Sequence, residues 1–257
     1  MAGENEEKQG TLVKQERYLE AGIHIGTKMS TADMRKFVFK TRDDGLHILD
    51  LREIDGRLRK AAKMLAKYKP EDVLVVASRT YSGNAATKFA ALTGVNLIRG
   101  RFVPGTMTNI VLKCFTEPKI LFISDPKNEH EAISEASKMG VPVISLCDTD
   151  NETKFIDFVV PANNKGRKAL ALIFYILTRE LMMSQGKITS YDQFQYEPSY
   201  FEELEARKET PAVPTQNKAI DEAAKALTAP PEAKEAPAPV KKEAKKEEKP
   251  AKEAKKE

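Results

Sequence analysis

Short apolar runs alternate with longer amphipathic stretches through most of the chain. Val73–Ala77 and Ile120–Ile123 are continuous apolar runs, the pattern of strands that are covered on both faces of a parallel sheet. Three further short runs are predicted as strands at Asn96–Ile98, Val141–Leu146 and Phe158–Val160.

Between these runs, apolar residues recur at helical spacing. The first predicted helix begins at Asp50, a capping residue, and ends before Pro70; its buried stripe is Leu51, Ile54, Leu58, Ala61, Leu65 and Tyr68. Two more helices are predicted to end at Gly94 and Gly140, and a long buried helix is predicted from about Lys165 to Ser184, capped by Asn163 or Asn164. Strands and helices that alternate with short joints predict an α/β protein, a doubly wound three-layer sandwich with a mostly parallel central sheet.

The two ends of the chain have a different composition. Residues 1–14 are polar, and we expect a flexible N-terminus there. From about residue 206 to 257, Lys, Glu, Ala and Pro dominate, so this tail has too little apolar surface to fold and is predicted to be disordered. A single domain is therefore expected over residues 15–205, including its C-terminal extension.

The composition of the chain indicates in which cellular compartment the protein is expected. The longest apolar run, Ala169 to Leu177, is shorter than the ~20 residues that a membrane helix needs. The first residues are acidic and do not resemble a signal peptide, and Cys114 and Cys147 form no metal-binding pair. We therefore expect a cytoplasmic protein without a membrane partner.

The charge is divided unevenly along the chain. The formal net charge is +4, but residues 17–113 contain 18 Lys and Arg against 9 Asp and Glu, whereas residues 114–205 contain 9 against 15. A basic first half and an acidic second half predict one side that faces a polyanion.

Polar residues follow the predicted strands, where α/β proteins bind ligands. The segment from Ser78 to Gly83 offers hydroxyls, Arg79 and a helix start, which suits either a phosphate site or ordinary capping. Asp125 and Asp148 are open to two interpretations, as Mg²⁺ ligands or acid and base in an enzyme, or as a helix cap before Pro126 and part of a polar turn. The imidazoles of His24, His47 and His130 lack a second ligand at metal spacing.

The segment from Arg99 to Asn109 combines two arginines, an aromatic residue and a Pro-Gly turn. Arginines on a rigid turn suit phosphate contacts, and Phe102 could stack on a base. Alternatively, Phe102 and Met107 anchor the loop in the core.

Five motifs together resemble a known family. They are Glu20-Ala21-Gly22-Ile23-His24-Ile25-Gly26, Gly45-Leu46-His47-Ile48-Leu49-Asp50-Leu51, Arg101-Phe102 with Gly105-Thr106-Met107-Thr108-Asn109, Asp125-Pro126 through Asp148-Thr149, and Val160-Pro161-Ala162-Asn163-Asn164. The chain resembles the S2 family of small-subunit ribosomal proteins in its archaeal form, which is related to the eukaryotic laminin-receptor-like version. The resemblance spans roughly Tyr18 to Ser184.

The resemblance implies a flavodoxin-like fold and a structural, non-enzymatic role in the small ribosomal subunit. Bacterial members insert a long helical hairpin after the Thr-Asn motif; here only Ile110 to Lys119 separate Asn109 from the next strand, so that hairpin is absent. The implied partners are small-subunit rRNA and neighbouring ribosomal proteins, without cofactor, metal or small-molecule substrate. The competing hypothesis is a doubly wound enzyme that binds a nucleotide or phosphosugar at Ser78–Gly83.

The predicted RNA contacts are cations of the basic first half and of the start of the long helix. Arg167 and Lys168 are included because cations in a first helical turn oppose the helix dipole, and a polyanion there would remove the conflict. The full predicted set is Lys28, Arg35, Lys36, Lys40, Arg42, Arg79, Arg99, Arg101, Arg167 and Lys168.

Overall fold

A computed structural model of the chain describes residues 11–189 and 191–203, all of which belong to one compact unit. The predicted disordered tail, residues 206–257, and most of the predicted flexible N-terminus lie outside the described residues. Residues 11–14 are described, and they differ from the prediction: Leu12 and Val13 are buried. The Leu12 backbone donates to Asp55 and accepts from Arg179, two side chains too distant in sequence to have been linked to it.

The predicted elements are present with small shifts of their ends. The helices are α1 (Gln15–Ala21), α2 (Leu51–Leu65), α3 (Thr80–Thr93), α4 (His130–Met139), α5 (Arg167–Ser184) and α6 (Pro198–Glu202). The strands are β1 (Val38–Thr41), β2 (His47–Leu49), β3 (Val73–Ala77), β4 (Asn96–Arg99), β5 (Ile120–Ile123), β6 (Val143–Cys147) and β7 (Phe158–Pro161). None of the helices in the described part of the chain is long and apolar enough to cross a membrane.

Five parallel strands form the central sheet in the order β4-β3-β5-β6-β7. The side chains of β3 alternate between its two faces, as the pleat requires. Val73, Val75 and Ala77 face a large core, whereas Leu74 and Val76 face a smaller one. The large core contains the apolar sides of α2, α3 and α5, and the small core contains α4 and part of the segment between β4 and β5. This arrangement confirms the three-layer, doubly wound fold.

The segment between β4 and β5, residues 100–119, consists of turns and irregular structure. It therefore has no inserted helical hairpin. Phe102 and Met107 from this segment are buried in the small core, with 3% and 1% of their surface exposed. The structure thus supports the anchoring interpretation of Phe102 over the stacking one.

Most helices end where the sequence predicts, but two helices, α4 and α5, begin later than predicted. Gly22, Gly94 and Gly140 each end a helix with positive φ, which glycine adopts without steric strain. Asp125 was a predicted helix cap, but α4 begins five residues later. Its carboxylate instead accepts from the Lys127 backbone within a turn.

The long helix also begins later than predicted. Asn163 accepts from the backbone N–H groups of Lys165 and Gly166 just before α5 begins at Arg167, so of the two predicted caps it is Asn163 that binds there. Lys165 therefore precedes the helix instead of lying in its first turn.

Candidate nucleic-acid interface

A groove lies along the carboxyl edge of the parallel sheet, between the ends of β3, β4 and β5. We call it the edge groove; its volume is about 1050 Å³, and its lining includes four cations, Arg79, Arg101, Lys127 and Lys165, with Tyr81, His130 and one acid, Glu131. The strand order changes direction between β3 and β5, the position at which open α/β sheets bind ligands. The amino end of α3 opens here, and no side chain among the described residues caps it. Four cations and this helix start make the groove suitable for an anion.

The carboxylate of Asp125 lies beneath this groove and is completely buried. Its Oδ2 accepts from Arg79 Nε at 2.6 Å and from Asn128 Nδ2 at 3.0 Å. Its Oδ1 accepts from the amides of Asn151 and Asn164, both at 3.3 Å. The hydrogen-bonding capacity of this carboxylate is used inside the fold, so Asp125 positions Arg79 and is unsuited to acid–base chemistry.

Glu129 is a second buried acid at this edge. One oxygen accepts from the Ser78 backbone at 2.7 Å and from the Ser78 hydroxyl at 2.8 Å, and the other accepts from the Ser124 backbone at 3.1 Å. Burial raises the pKa of Glu129 to about 7, although these hydrogen bonds oppose the change. Glu129 therefore ties the ends of β3 and β5 together. Glu129 was not among the functional residues predicted from the sequence.

Lys165 links two acids at the end of β6. Its Nζ lies 3.1 Å from Asp148 and 2.8 Å from Asp150. Burial raises the pKa of Asp148, whereas for Asp150 the effect of burial is outweighed by the hydrogen bond and charge of Lys165, which lower its pKa. Asp148 is thus part of a structural ion pair, in agreement with its interpretation as part of a polar turn.

Arg99 and Arg101 are placed differently, although they are two residues apart. The Arg99 guanidinium donates to Asn84, and its side chain packs over Gly83, where a Cβ would lie 3.1 Å from Arg99 Cγ. Arg101 is exposed and lines the edge groove. The turn that follows is held by Glu135, which accepts from the backbone of Gly105 and Met107. Arg101 is therefore presented to solvent on a rigid turn.

A second basic groove lies on the β1–β2 hairpin. We call it the hairpin groove; its lining includes Lys28, Ser30, Arg35, Phe39, Lys40 and His47. The strand register shifts between Val38 and Lys40, and Phe39 at this irregularity is 74% exposed. An exposed aromatic ring among three cations is a combination that suits stacking and phosphate contacts.

The remaining predicted cations of this region are also at the surface. Lys36 and Arg42 are exposed, and Lys36 Nζ lies 5.1 Å from the centre of the Phe37 ring. The structure therefore brings Lys28, Arg35 and Lys40 together in one groove and leaves Lys36 and Arg42 beside it on the hairpin.

Hydrogen bonds between two distant segments join the basic loop to the end of β6. Thr27 donates its backbone N–H to Thr149 Oγ1 at 2.9 Å, and Thr31 Oγ1 donates to the Asn151 carbonyl at 2.8 Å. A Cβ on Gly26 would lie 2.5 Å from Thr149 Cγ2, so only glycine permits this approach. The basic loop is thereby fixed against the end of β6.

Arg167 and Lys168 lie elsewhere, in surroundings of mixed charge. Arg167 Nη2 is 3.7 Å from Glu202 of α6. Lys168 lines a cleft together with Glu20, Glu197 and Glu202. These two predicted contacts are therefore separate from both basic grooves.

Taken together, the doubly wound fold, its internally satisfied acids and its two basic grooves are those of an α/β scaffold protein with basic surfaces. Comparison with known proteins agrees with this class. The profile of the family described as Ribosomal protein S2 matches residues 18–114 and 111–184. The chain belongs to the ribosomal protein S2 family, whose members are structural and non-enzymatic, so the competing hypothesis of a doubly wound enzyme is wrong.

Similar proteins come from archaea, which supports the archaeal type. A protein named small ribosomal subunit protein uS2 from Thermoplasma acidophilum is 47% identical over 191 residues, which are 74% of this chain and 96% of that protein. A protein of the same name from Methanococcus maripaludis is 50% identical over 182 residues, which are 69% of this chain and 83% of that protein.

Proposed function

We propose that the protein is a structural constituent of the small ribosomal subunit, where it binds small-subunit rRNA and neighbouring ribosomal proteins in the cytoplasm. Its family and the name of its relatives support the ribosomal assignment. The observation that carries the RNA-binding part is the pair of basic grooves, held in fixed relation by the contact of the Thr27 loop with Thr149.

The cations of the two grooves differ in their availability for phosphate. Arg101, Lys28, Arg35 and Lys40 are exposed in or beside a groove, and in our proposal they make the principal phosphate contacts, supported by Lys36 and Arg42. Arg79 is oriented by a buried partner, Asp125. Part of the Arg99 guanidinium is engaged by Asn84, so Arg99 makes a weaker phosphate contact than Arg101.

Two exposed rings extend this proposal from phosphates to bases. Tyr81 is 44% exposed at the edge groove, and Phe39 is 74% exposed at the hairpin groove. Aromatic rings beside cations stack on unpaired bases without sequence preference. We therefore assign base stacking to Tyr81 and Phe39, in place of the buried Phe102.

For two of the cations predicted to bind RNA, Arg167 and Lys168, we propose a protein partner instead. Arg167 and Lys168 border a cleft that contains acidic side chains, and this mixed charge suits a protein neighbour better than RNA. The acidic second half of the chain also leaves surface for neighbouring proteins.

Measuring the binding of the full-length protein to purified small-subunit rRNA at several salt concentrations tests this function. Phosphate contacts release counterions, so affinity falls steeply with salt. Arg101→Ala and Lys40→Ala should each reduce the salt slope by about one unit. Lys138→Ala serves as a matched control, because Lys138 is exposed on α4, outside both grooves. Unchanged slopes for both groove variants would contradict the proposal.

A further inference from the structure

Helix α2 carries a row of cations on the side that faces away from the core. With about 100° between successive residues, four positions fall within a sector of roughly 80° on the exposed side: Arg52, Gly56, Lys60 and Lys63. The buried side carries Ile54, Leu58, Ala61 and Leu65. Only the apolar stripe of this helix was predicted from the sequence, and none of these cations belongs to either basic groove.

Gly56 interrupts the row in the middle of the helix. Glycine weakens a helix interior relative to alanine. Here a Cβ at Gly56 would meet nothing within 4 Å, and the residue lies within the regular helix. The surrounding fold thus gives no steric reason for glycine at this position. What the glycine does provide is a shallow gap on the helix face. Its lining includes three cations, Arg52, Arg57 and Lys60, and one acid, Glu53, which is paired with Arg57.

We infer that this face of α2 is a further RNA-binding surface, on which one phosphodiester strand of small-subunit rRNA crosses the helix at Gly56. This inference rests on the proposed function. Arg52 would contact the strand on one side of the crossing, and Lys60 and Lys63 on the other. The distance along the helix from Arg52 to Lys63 is about 16 Å, which spans several consecutive phosphates of a strand. The absence of a side chain at Gly56 lets the backbone of the RNA approach the helix closely.

The position of α2 fits this assignment. The helix begins directly after the hairpin strand β2, and Arg57 lies 4.5 Å from the ring of Phe37 at the base of the hairpin. The row of cations therefore starts beside the hairpin region. In this proposal, a strand of rRNA bound in the hairpin groove continues onto the neighbouring α2.

Gly56→Ala in the full-length protein is the most direct test, because it should have opposite effects on stability and binding. Alanine favours the helix, so the melting temperature should rise by a few degrees. The added methyl group occupies the crossing point, so affinity for purified small-subunit rRNA should fall about two- to tenfold. A stabilised variant that binds more weakly cannot be explained by misfolding.

Lys63→Ala provides an independent second variant. It should reduce the salt slope of rRNA binding by about one unit, whereas the control Lys138→Ala, on the opposite face of the sheet, should leave it unchanged. An unchanged affinity for Gly56→Ala, or an unchanged slope for Lys63→Ala, overturns the inference. If Lys40→Ala still lowers the salt slope of rRNA binding in that case, the proposed function is retained and only the assignment of RNA binding to α2 is wrong. If the wild-type protein does not bind the rRNA, both fail.

Discussion

The guanidinium of Arg79 is held by the carboxylate of Asp125, with Nε and Nη2 both 2.6 Å from Oδ2. Asp125 is completely buried, whereas a third of the Arg79 side chain is exposed at the edge groove. The carboxyl edge of the sheet, at which related architectures bind small ligands, is here occupied by a structural ion pair. The ion pair fixes the orientation of the Arg79 side chain. It also engages the carboxylate of Asp125, which is therefore not free to act as a catalytic acid or base.

Removing the charge of Asp125 should destabilise the fold. In Asp125→Asn the amide replaces an acceptor oxygen with a donor, which then faces donors such as the Arg79 guanidinium or the Asn164 amide. We expect the free energy of unfolding to fall by about 2–4 kcal/mol, measured by denaturant unfolding. Asp43→Asn, at an exposed turn position, is the matched control and should change it by less than about 0.5 kcal/mol. Equal effects of the two variants would show that Asp125 has no structural role.

Glu129 should make stability depend on pH in a defined direction. Its pKa rises from an ordinary value of 4.5 to about 7 in the folded protein, so between these values the folded state binds more protons than the unfolded state. Stability from this group is therefore complete below about pH 4.5 and decreases as the pH rises towards 7, by up to roughly 3 kcal/mol.

Glu129→Gln isolates this contribution, because glutamine does not ionise. The unfolding free energy of the wild type minus that of Glu129→Gln should fall as the pH rises from 4.5 to 7, because only the wild type loses stability through this group. Glu131→Gln, the same substitution at an exposed position of α4, should give a curve parallel to that of the wild type. Parallel curves for both variants would refute the assignment to Glu129.

Gly26→Ala should separate the basic loop from the end of β6. The new methyl group would lie 2.5 Å from Thr149 Cγ2, 2.9 Å from Thr149 Oγ1 and 3.0 Å from the His47 carbonyl, so the loop must shift. We expect a loss of about 1–3 kcal/mol in denaturant unfolding. The double variant with Thr149→Ser removes the nearest atom but retains the hydroxyl that accepts from Thr27, and part of the loss should be recovered. A double variant as unstable as Gly26→Ala would show that the contact with Thr149 Cγ2 is not the cause of the loss.

Replacing two aromatic residues at the edge groove by alanine should affect different properties, the stability of the fold in one case and rRNA affinity in the other. Phe102→Ala removes a buried ring and should lower the unfolding free energy by about 3–5 kcal/mol. Tyr81→Ala removes an exposed ring and should leave stability nearly unchanged, while rRNA affinity falls about fivefold or more. Filter binding and denaturant unfolding of both variants distinguish the two roles. Normal rRNA affinity in Tyr81→Ala would exclude stacking at this position.

The parts of the fold that could be predicted depend on local patterns. Val73–Ala77 is a run of apolar residues short enough for a strand, and helices that end at Gly94 or Gly140 carry their stop signal in the next residue. Because the polar residues after β3 and β5 follow strand ends directly, their meeting at one edge of a parallel sheet was also predictable.

What could not be predicted depends on contacts between distant residues. Thr149 meets Thr27 across 122 positions, and Glu135 holds the Met107 backbone across 28. Phe102 follows Arg101 in a pattern that suits both stacking and anchoring, and only its packing in the small core decides between them. Gly56 carries no local signal either, since its significance depends on the open space beside it.

Fractionation of cell lysate on sucrose gradients tests the central claim most directly, with the protein detected by antibody at moderate and at high salt. If the protein is a constituent of the small ribosomal subunit held largely by phosphate contacts, it should migrate with small subunits at moderate salt and dissociate only at high salt. If it stays at the top of the gradient at both salt concentrations, the ribosomal account is contradicted.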